Sequence, residues 1–504
     1  MFLFKPCASE AVIKYRLDIM EDLMQNADLV ELFQSVNLLL EKLASMKPIT
    51  GSRQAAVHQA AYFFQKARLY TEMIIALHDG LSTKQNIRSS GLQSFIEMLA
   101  YITNSDVFIT MQQDIEHIKC FAHEIRTVGL SIQCQNERIT SLIIASTPED
   151  YQPSLIARLL QLIQSLTPLN YQEAVDISQG DTFSLVEEQL LNETLKVVPD
   201  YFQAVDTFYK KYQDYPIEHL LPCSSELRFY LIMLSLTKKL TAYGFKFCKP
   251  QVLPKDMKYT MLQQVYDLNL ALRLVDEGQG AGAVVGNDHG ADDTGRVFLL
   301  TGPNHGGKTT FIRALGIAQV LFQAGCYVPA ERASLSPVDA IFTHFPEKEV
   351  LGVKTGRLGE EASRIAKIFA EATEYSLMLF NETFSSTRRS DGYHLSMDVL
   401  KAMMKLGCHA VFVTHITELT QDVDLLNTEI CDGSLLVNLV ADVEFDKKGN
   451  QGKRTYIIKR AISPNSIGYA RDITAKYGLT FDQLLRLFQA RSLIEEETRN
   501  DSEC

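Results

Sequence analysis

The chain has 504 residues, of which 46% are hydrophobic and 22% charged, and a formal net charge of −12. That length allows roughly two to four domains with sizeable cores, and the charge excludes a protein coated in positive charge while leaving room for a local basic groove. Its nine cysteines include no CxxC pair, so zinc-type spacing is absent and a reducing, cytoplasmic setting is expected. No apolar run reaches about 18 residues, the length a membrane span needs, and the opening MFLFKPCASE lacks the basic region of a signal peptide.

Residues 1–276 read as mostly helical. Ile13, Leu17 and Met20 repeat at helical spacing, as do Leu29, Phe33, Val36, Leu40 and Leu43. Ser9 is placed to cap the first of these helices. Similar segments continue to YTMLQQVYDLNLALRLV, and few hairpin signals interrupt them. Within this region FYKKYQDY and TKKLTAYGFKFCKP offer Lys210, Lys211, Lys238, Lys239, Lys246 and Lys249 among aromatics. Lysines contact phosphates and aromatics stack on exposed bases. Solvated lysines flanking amphipathic helices produce the same pattern.

Residues 277–296, EGQGAGAVVGNDHGADDTGR, are rich in Gly and Asp and read as a flexible connection. After them the pattern becomes α/β. VFLLT, SLMLF and HAVFVTH are short apolar strands; KTTFIRALGIAQVLFQAG and YHLSMDVLKAMMKLG are helices. Buried strands alternating with helices imply a mostly parallel sheet. Cys408 and His409 precede a strand and read as structural rather than metal-binding. The charged tail from 491 to 504 reads as solvated.

GPNHGGKT, from Gly302 to Thr309, fits G-x-x-x-x-G-K-[ST], and it follows a strand and opens a helix. Gly306 and Gly307 leave room for backbone N–H groups to close around phosphate oxygens, and the helix N-terminus favours negative charge. Pro303, Asn304, His305 and Thr310 complete the candidate nucleotide-contacting stretch. Lys308 is placed to reach the β- and γ-phosphates of ATP, and Thr309 to offer its hydroxyl to Mg²⁺. In SLMLFNE, Glu382 follows an apolar strand and is the candidate to polarise an attacking water. Asn381 stands where such sites usually have an aspartate for the metal; its amide oxygen accepts a hydrogen bond but brings no charge. His415, at the end of HAVFVTH, is placed to sense the γ-phosphate or the water.

Together these pieces resemble the ATPase domain of the MutS family of DNA mismatch-repair proteins. TGPNHGGKTTFIRALGIAQVLFQAGCYVPAERASLSPVDAIFTHF is similar to that family almost throughout, as are STRRSDG with Asp391 and Gly392, VTHITEL, and the closing YIIKRAISPNSIGYARDITAKYGLTFDQL. The resemblance implies an α/β P-loop NTPase of ABC-like type over 297–490, preceded by an all-α lever- and clamp-like domain. It also implies ATP with Mg²⁺, DNA as partner, and a homodimer in which each ATP site is completed by the other subunit. Departures are plain. Gly356, in TGRLGEEASRIAKIF, takes the place of a serine in the trans-acting signature. The aromatic that stacks on adenine is not evident in AVVGNDHGADD. No mismatch-reading domain or F-x-E wedge precedes the helical region. A nucleotide-gated scaffold with little turnover, or a relative acting on RNA, a ribosome or a protein, is the alternative.

Overall fold

The computed structural model describes residues 7–46, 55–84, 86–124, 128–135, 138–146, 199–346, 357–385, 387–445 and 452–460. The chain forms two compact units, one of Asp22–Ile232 and one joining Met1–Glu21 to Met233–Cys504. Gly356, the closing segment from 461 and the tail lie outside the described residues.

Helices α1 (Glu10–Gln25), α2 (Ala27–Ser45), α3 (Ala55–Ser82), α4 (Ser90–Thr103) and α5 (Asp106–Glu124) follow the expected helical spacing. In α1, Ile13, Leu17 and Met20 are buried, and in α2 so are Leu29, Phe33, Val36, Leu40 and Leu43. Ser9 does begin α1, although the Val12 N–H reaches its Oγ only at 3.5 Å. In the helical unit Tyr70 of α3 packs its ring against Phe108 of α5 and against Tyr215. Asp22 accepts the Ser89 N–H at 2.8 Å and fixes the turn before α4.

The expectation of an all-helical first half is corrected in two places. An antiparallel hairpin, β1 (Val128–Gln135) with β2 (Arg138–Ser146), precedes α6 (Pro199–Tyr212) and α7 (Cys223–Ala242). The stretch YTMLQQVYDLNLALRLV is not one helix: it holds β4 (Thr260–Val265) and α8 (Leu268–Asp276). Thr260 and Leu262 are buried on alternate positions of β4, a period-2 pattern hidden because Thr260 is polar, Met261 between them is apolar, and two glutamines follow. Asp267 then stops the strand and caps α8.

The supposed connection 277–296 is corrected as well, because it carries β5 (Asn287–Ala291). Its inward residues are Asn287, His289 and Ala291, so no apolar alternation announces it. β5 is the edge of a four-stranded sheet in the order β3 (Gln251–Val252), β7 (Arg332–Leu335), β4, β5. His289 stacks on His409, with their Nε2 atoms 3.0 Å apart.

The larger sheet has the order β12 (Gly452–Arg460), β11 (Leu436–Phe445), β6 (Val297–Thr301), β10 (His409–Val413), β9 (Leu377–Asn381), β8 (Ile341–His344). All neighbours are parallel except β11 and β12. Helices α9 (Lys308–Gln323), α10 (Arg357–Glu371), α11 (Arg389–Leu406) and α12 (Val423–Glu429) complete this unit. Met378, Phe380 and Phe412 of the sheet pack with Leu400 and Met403 of α11 in one core. The mixed α/β architecture agrees with the strand–helix alternation of the sequence. Among the described residues no helix is long and apolar enough to cross a membrane.

Burial pushes the His289 imidazole well below its ordinary range, helped by His409 and Arg460. It pushes His409 down to about 4, with Arg296 contributing. Both rings are therefore neutral in the folded chain at pH 5, whereas in the unfolded chain they protonate below about 6.5. Stability from this pair is present above that value and lost as pH falls. Equilibrium urea unfolding is expected to show a loss of about 4 kcal/mol between pH 7 and pH 5, about 2 from each ring. A His409→Gln chain should lose less over the same interval; an equal loss would mean the pair does not control it.

Candidate functional site

The loop between β6 and α9 is built on backbone conformations that side chains disfavour. Gly302 has φ +133 and Gly307 φ +91, and a Cβ on Gly302 would lie 2.8 Å from the Cβ of Ala441 on β11. A Cβ on Gly306 would lie 3.0 Å from the Pro303 carbonyl oxygen. His305 also has a left-handed φ of 60°, which costs a non-glycine residue energy that neighbouring structure must offset. Gly307 is the N-cap of α9, so the first backbone N–H groups of the helix border the cavity described below.

Lys308 is 4% exposed. Its Nζ donates to the carbonyl oxygens of Gly302 at 2.8 Å and Pro303 at 2.9 Å. Burial brings its ammonium down to about 8, against the opposing pull of Glu382. Thr309 Oγ1 donates to Asn381 Oδ1 at 3.3 Å, joining the start of α9 to the end of β9. Glu382 has φ 51 and its N–H is held by the Val413 carbonyl at 2.9 Å. The same turn directs its carboxylate to His415, whose Nε2 lies 2.8 Å from Oε1. Gly392 opens α11 beside this turn, where a Cβ would meet the Phe384 carbonyl oxygen at 3.2 Å.

Most of the expected residues meet at one cavity of about 740 Å³. Asn304, His305, Gly306, Gly307, Lys308, Thr309, Thr310, Glu382 and His415 all line it. Gly302 and Pro303 act from behind, through the carbonyls that hold Lys308. Asn381 is 5% exposed and reaches the site through Thr309.

The sequence reading missed the far wall. Asp267 caps α8 by accepting the Asn269 N–H at 2.9 Å, and it also pairs with Arg313 of α9 through Nε at 2.8 Å. The wall formed by α8 is thus tied to α9, the helix that follows the glycine-rich loop. The signal was available, since an aspartate directly before a helical stretch is an N-cap type. Tyr456 of β12 supplies an aromatic ring against Gly307, 3.6 Å from where that residue's Cβ would be. It comes from a strand well downstream, where the stacking aromatic was not sought. Asn287 holds β12 in place, donating to the Tyr456 carbonyl and accepting the Ile458 N–H at 2.7 Å.

The lysine-rich segments do not assemble into a free basic patch. Lys210 pairs with Asp206, Lys211 with Asp114 and Lys239 with Asp276. Lys246 pairs with Glu331, and Lys249 with Asp18 and Glu21. Lys238 is exposed. Phe208, Tyr212 and Phe245 are at most 3% exposed, so they offer no stacking face. Cys408 is fully buried beneath the sheet, and among the described residues no cluster of three or more His, Cys, Asp or Glu could hold a metal.

A family model described as MutS domain V matches residues 298–471, and one described as MutS2 N-terminal domain matches residues 8–243. The chain belongs to the MutS family. It is 36% identical over 137 residues to a DNA mismatch repair protein MutS from Thermotoga petrophila, covering 27% of this chain and 17% of that one. The protein of the same name from Fervidobacterium nodosum is 31% identical over 202 residues, 40% of this chain and 22% of that one. These matches therefore span about a fifth of the length of the MutS relatives. MutS-family members are ATPases, and the domain V match contains the loop, Asn381, Glu382, His415 and Tyr456.

Asp267→Asn keeps the cap acceptor but removes the charge facing Arg313. Because Asp267 is fully buried and Arg313 is 44% exposed, the expected loss is about 2 kcal/mol rather than that of a fully buried pair. Denaturant unfolding of the variant measures it, and an unchanged midpoint would show that the pair does not brace the wall.

Proposed function

We propose that this chain is a MutS-type P-loop ATPase that binds ATP with Mg²⁺ at the 302–310 loop and hydrolyses it. The observation that carries this reading is the meeting of a buried lysine, a helix N-terminus, a Thr309–Asn381 oxygen pair and a Glu382–His415 pair around one cavity. The glycines of the loop leave room that a Cβ would fill, which fits close approach by phosphate. Thr309 and Asn381 offer neutral oxygen atoms, and Glu382 lies beside them, a hard donor set that fits Mg²⁺. When bound, the ion would supply positive charge to the phosphate oxygens.

The chain's own groups would do the rest. Lys308 would leave the carbonyls of Gly302 and Pro303 and donate to the β- and γ-phosphates. Loop N–H groups would stabilise the charge that builds on the transferred phosphoryl. Glu382, oriented by His415 and by its pinned backbone, would orient water for in-line attack. Tyr456 would present its ring face to the base. In this reading ATP binding and release reposition the helical region on DNA, and two copies complete each other's sites.

Asn381 favours a second reading in one respect. Without the aspartate charge the metal is held less tightly, and a nucleotide-gated scaffold with slow turnover becomes the alternative. The ion pairs made by the lysines likewise leave RNA or a protein open as the partner in place of DNA.

Two measurements bear on this. Steady-state ATP turnover should rise or fall with plain, mismatched or branched duplex, vanish in Lys308→Ala, and vanish in Glu382→Gln while ATP stays bound. Turnover indifferent to every DNA points to another partner; none above the Lys308→Ala blank points to the scaffold. In the second, phosphate raises the Lys308 pKa above its value of about 8 in the structure, so binding takes up a proton above that pH. Nucleotide affinity should then fall by up to about tenfold per pH unit above pH 8. A flat profile to pH 9.5 would contradict Lys308 as the phosphate donor.

A further inference from the structure

The wall of the cavity away from the phosphate loop has an unusual hydrogen-bonding inventory. Leu270, Arg273 and Leu274 of α8 face the space at helical spacing, opposite Ala283 and Val285. Both Asp267 oxygens are engaged, one by the α8 N-terminus and one by Arg313. Asn287 uses its amide oxygen on the Ile458 N–H and its amide nitrogen on the Tyr456 carbonyl. Neither side chain has a free acceptor to offer. What remains on the side chains is the Arg273 guanidinium, exposed and without a partner among the described residues, and the hydroxyls of Tyr266 and Tyr456. The Tyr266 hydroxyl is buried and makes no hydrogen bond.

A guanidinium only donates. On its N7 edge adenine presents one acceptor, N7, beside a donor, the N6 amino group. Guanine presents two acceptors, N7 and O6, in the spacing an arginine fork matches. The free charge on this wall therefore suits guanine at least as well as adenine, and the carboxylate of Asp267 and the amide of Asn287 are already engaged elsewhere.

Resting on the reading of this cavity as a nucleotide site, we infer that Arg273 reads the base and that the chain accepts guanine nucleotides as well as adenine nucleotides. Arg273 is a specificity-determining residue here and takes no part in the chemistry at phosphorus. The aliphatic wall from Leu270, Leu274 and Val285 packs on either purine without preference.

The test is displacement of a fluorescent ATP analogue by ATP or GTP, with Mg²⁺, from the intact chain and from Arg273→Ala and Arg273→Lys. GTP should displace within about tenfold of the ATP concentration. Arg273→Ala should weaken GTP by about tenfold or more, the scale of a lost bidentate contact, and ATP by much less. Arg273→Lys keeps the charge without the fork and should lose GTP affinity in the same direction, which separates base reading from a general loss of structure. GTP weaker than ATP by more than about a hundredfold in the unaltered chain overturns the inference, as does an equal loss of both nucleotides in the variants. Binding of the analogue that persists in Lys308→Ala, or no binding at all, overturns the nucleotide reading itself.

Discussion

An ammonium group that is 4% exposed needs oxygen atoms around it, and the unit carrying β6 and α9 is arranged to provide them. Lys308 finds the carbonyls of Gly302 and Pro303 because the loop doubles back on itself through two glycines with positive φ. The loop can double back because Ala441 is small and lies directly behind Gly302. Ala441 lies there because β11 runs parallel to β6. A chain of close contacts thus runs from one buried charge to the order of the strands.

The same logic explains the acidic end of the site. Glu382 departs from β9 in a left-handed conformation, and its N–H is tied to Val413 at the end of β10. A long side chain at such a φ is costly unless the surroundings fix it. Here the fixing places a carboxylate beside an imidazole from the neighbouring strand. Two strand ends and one strained residue bring together groups that are more than thirty positions apart in sequence, as the Glu382–His415 pair shows.

Much of this was legible in the sequence. The tight turn of 302–309 between β6 and α9 was, because glycines at fixed offsets between an apolar strand and a helix mark it. So were β6, β9 and β10, whose residues are apolar on both faces. β5 was hidden because two of its three inward residues, Asn287 and His289, are polar and buried against specific partners. β4 was hidden because its buried Thr260 is polar, the intervening Met261 is apolar, and two glutamines break the alternation before Val265. The ion pairs of the lysines near 210 and 239 were not legible, because a string of charges does not disclose Asp114 or Asp276, which pair with Lys211 and Lys239. Tyr456 and Arg273 needed three-dimensional proximity to be seen at all.

The dependence of the loop on β11 and β12 has a consequence for how the molecule is made. Ala441 supports Gly302, and Tyr456 lies against Gly307, yet both are synthesised more than a hundred residues after the loop they support. Contacts of such long sequence separation form late and slowly. As the chain leaves the ribosome, the glycines, Lys308 and even the Glu382–His415 turn are present well before anything holds the loop in shape. The loop therefore takes its shape only once β11 and β12 have been made and have added to the sheet, and a nascent chain carries the complete motif for some time without the pocket it encodes.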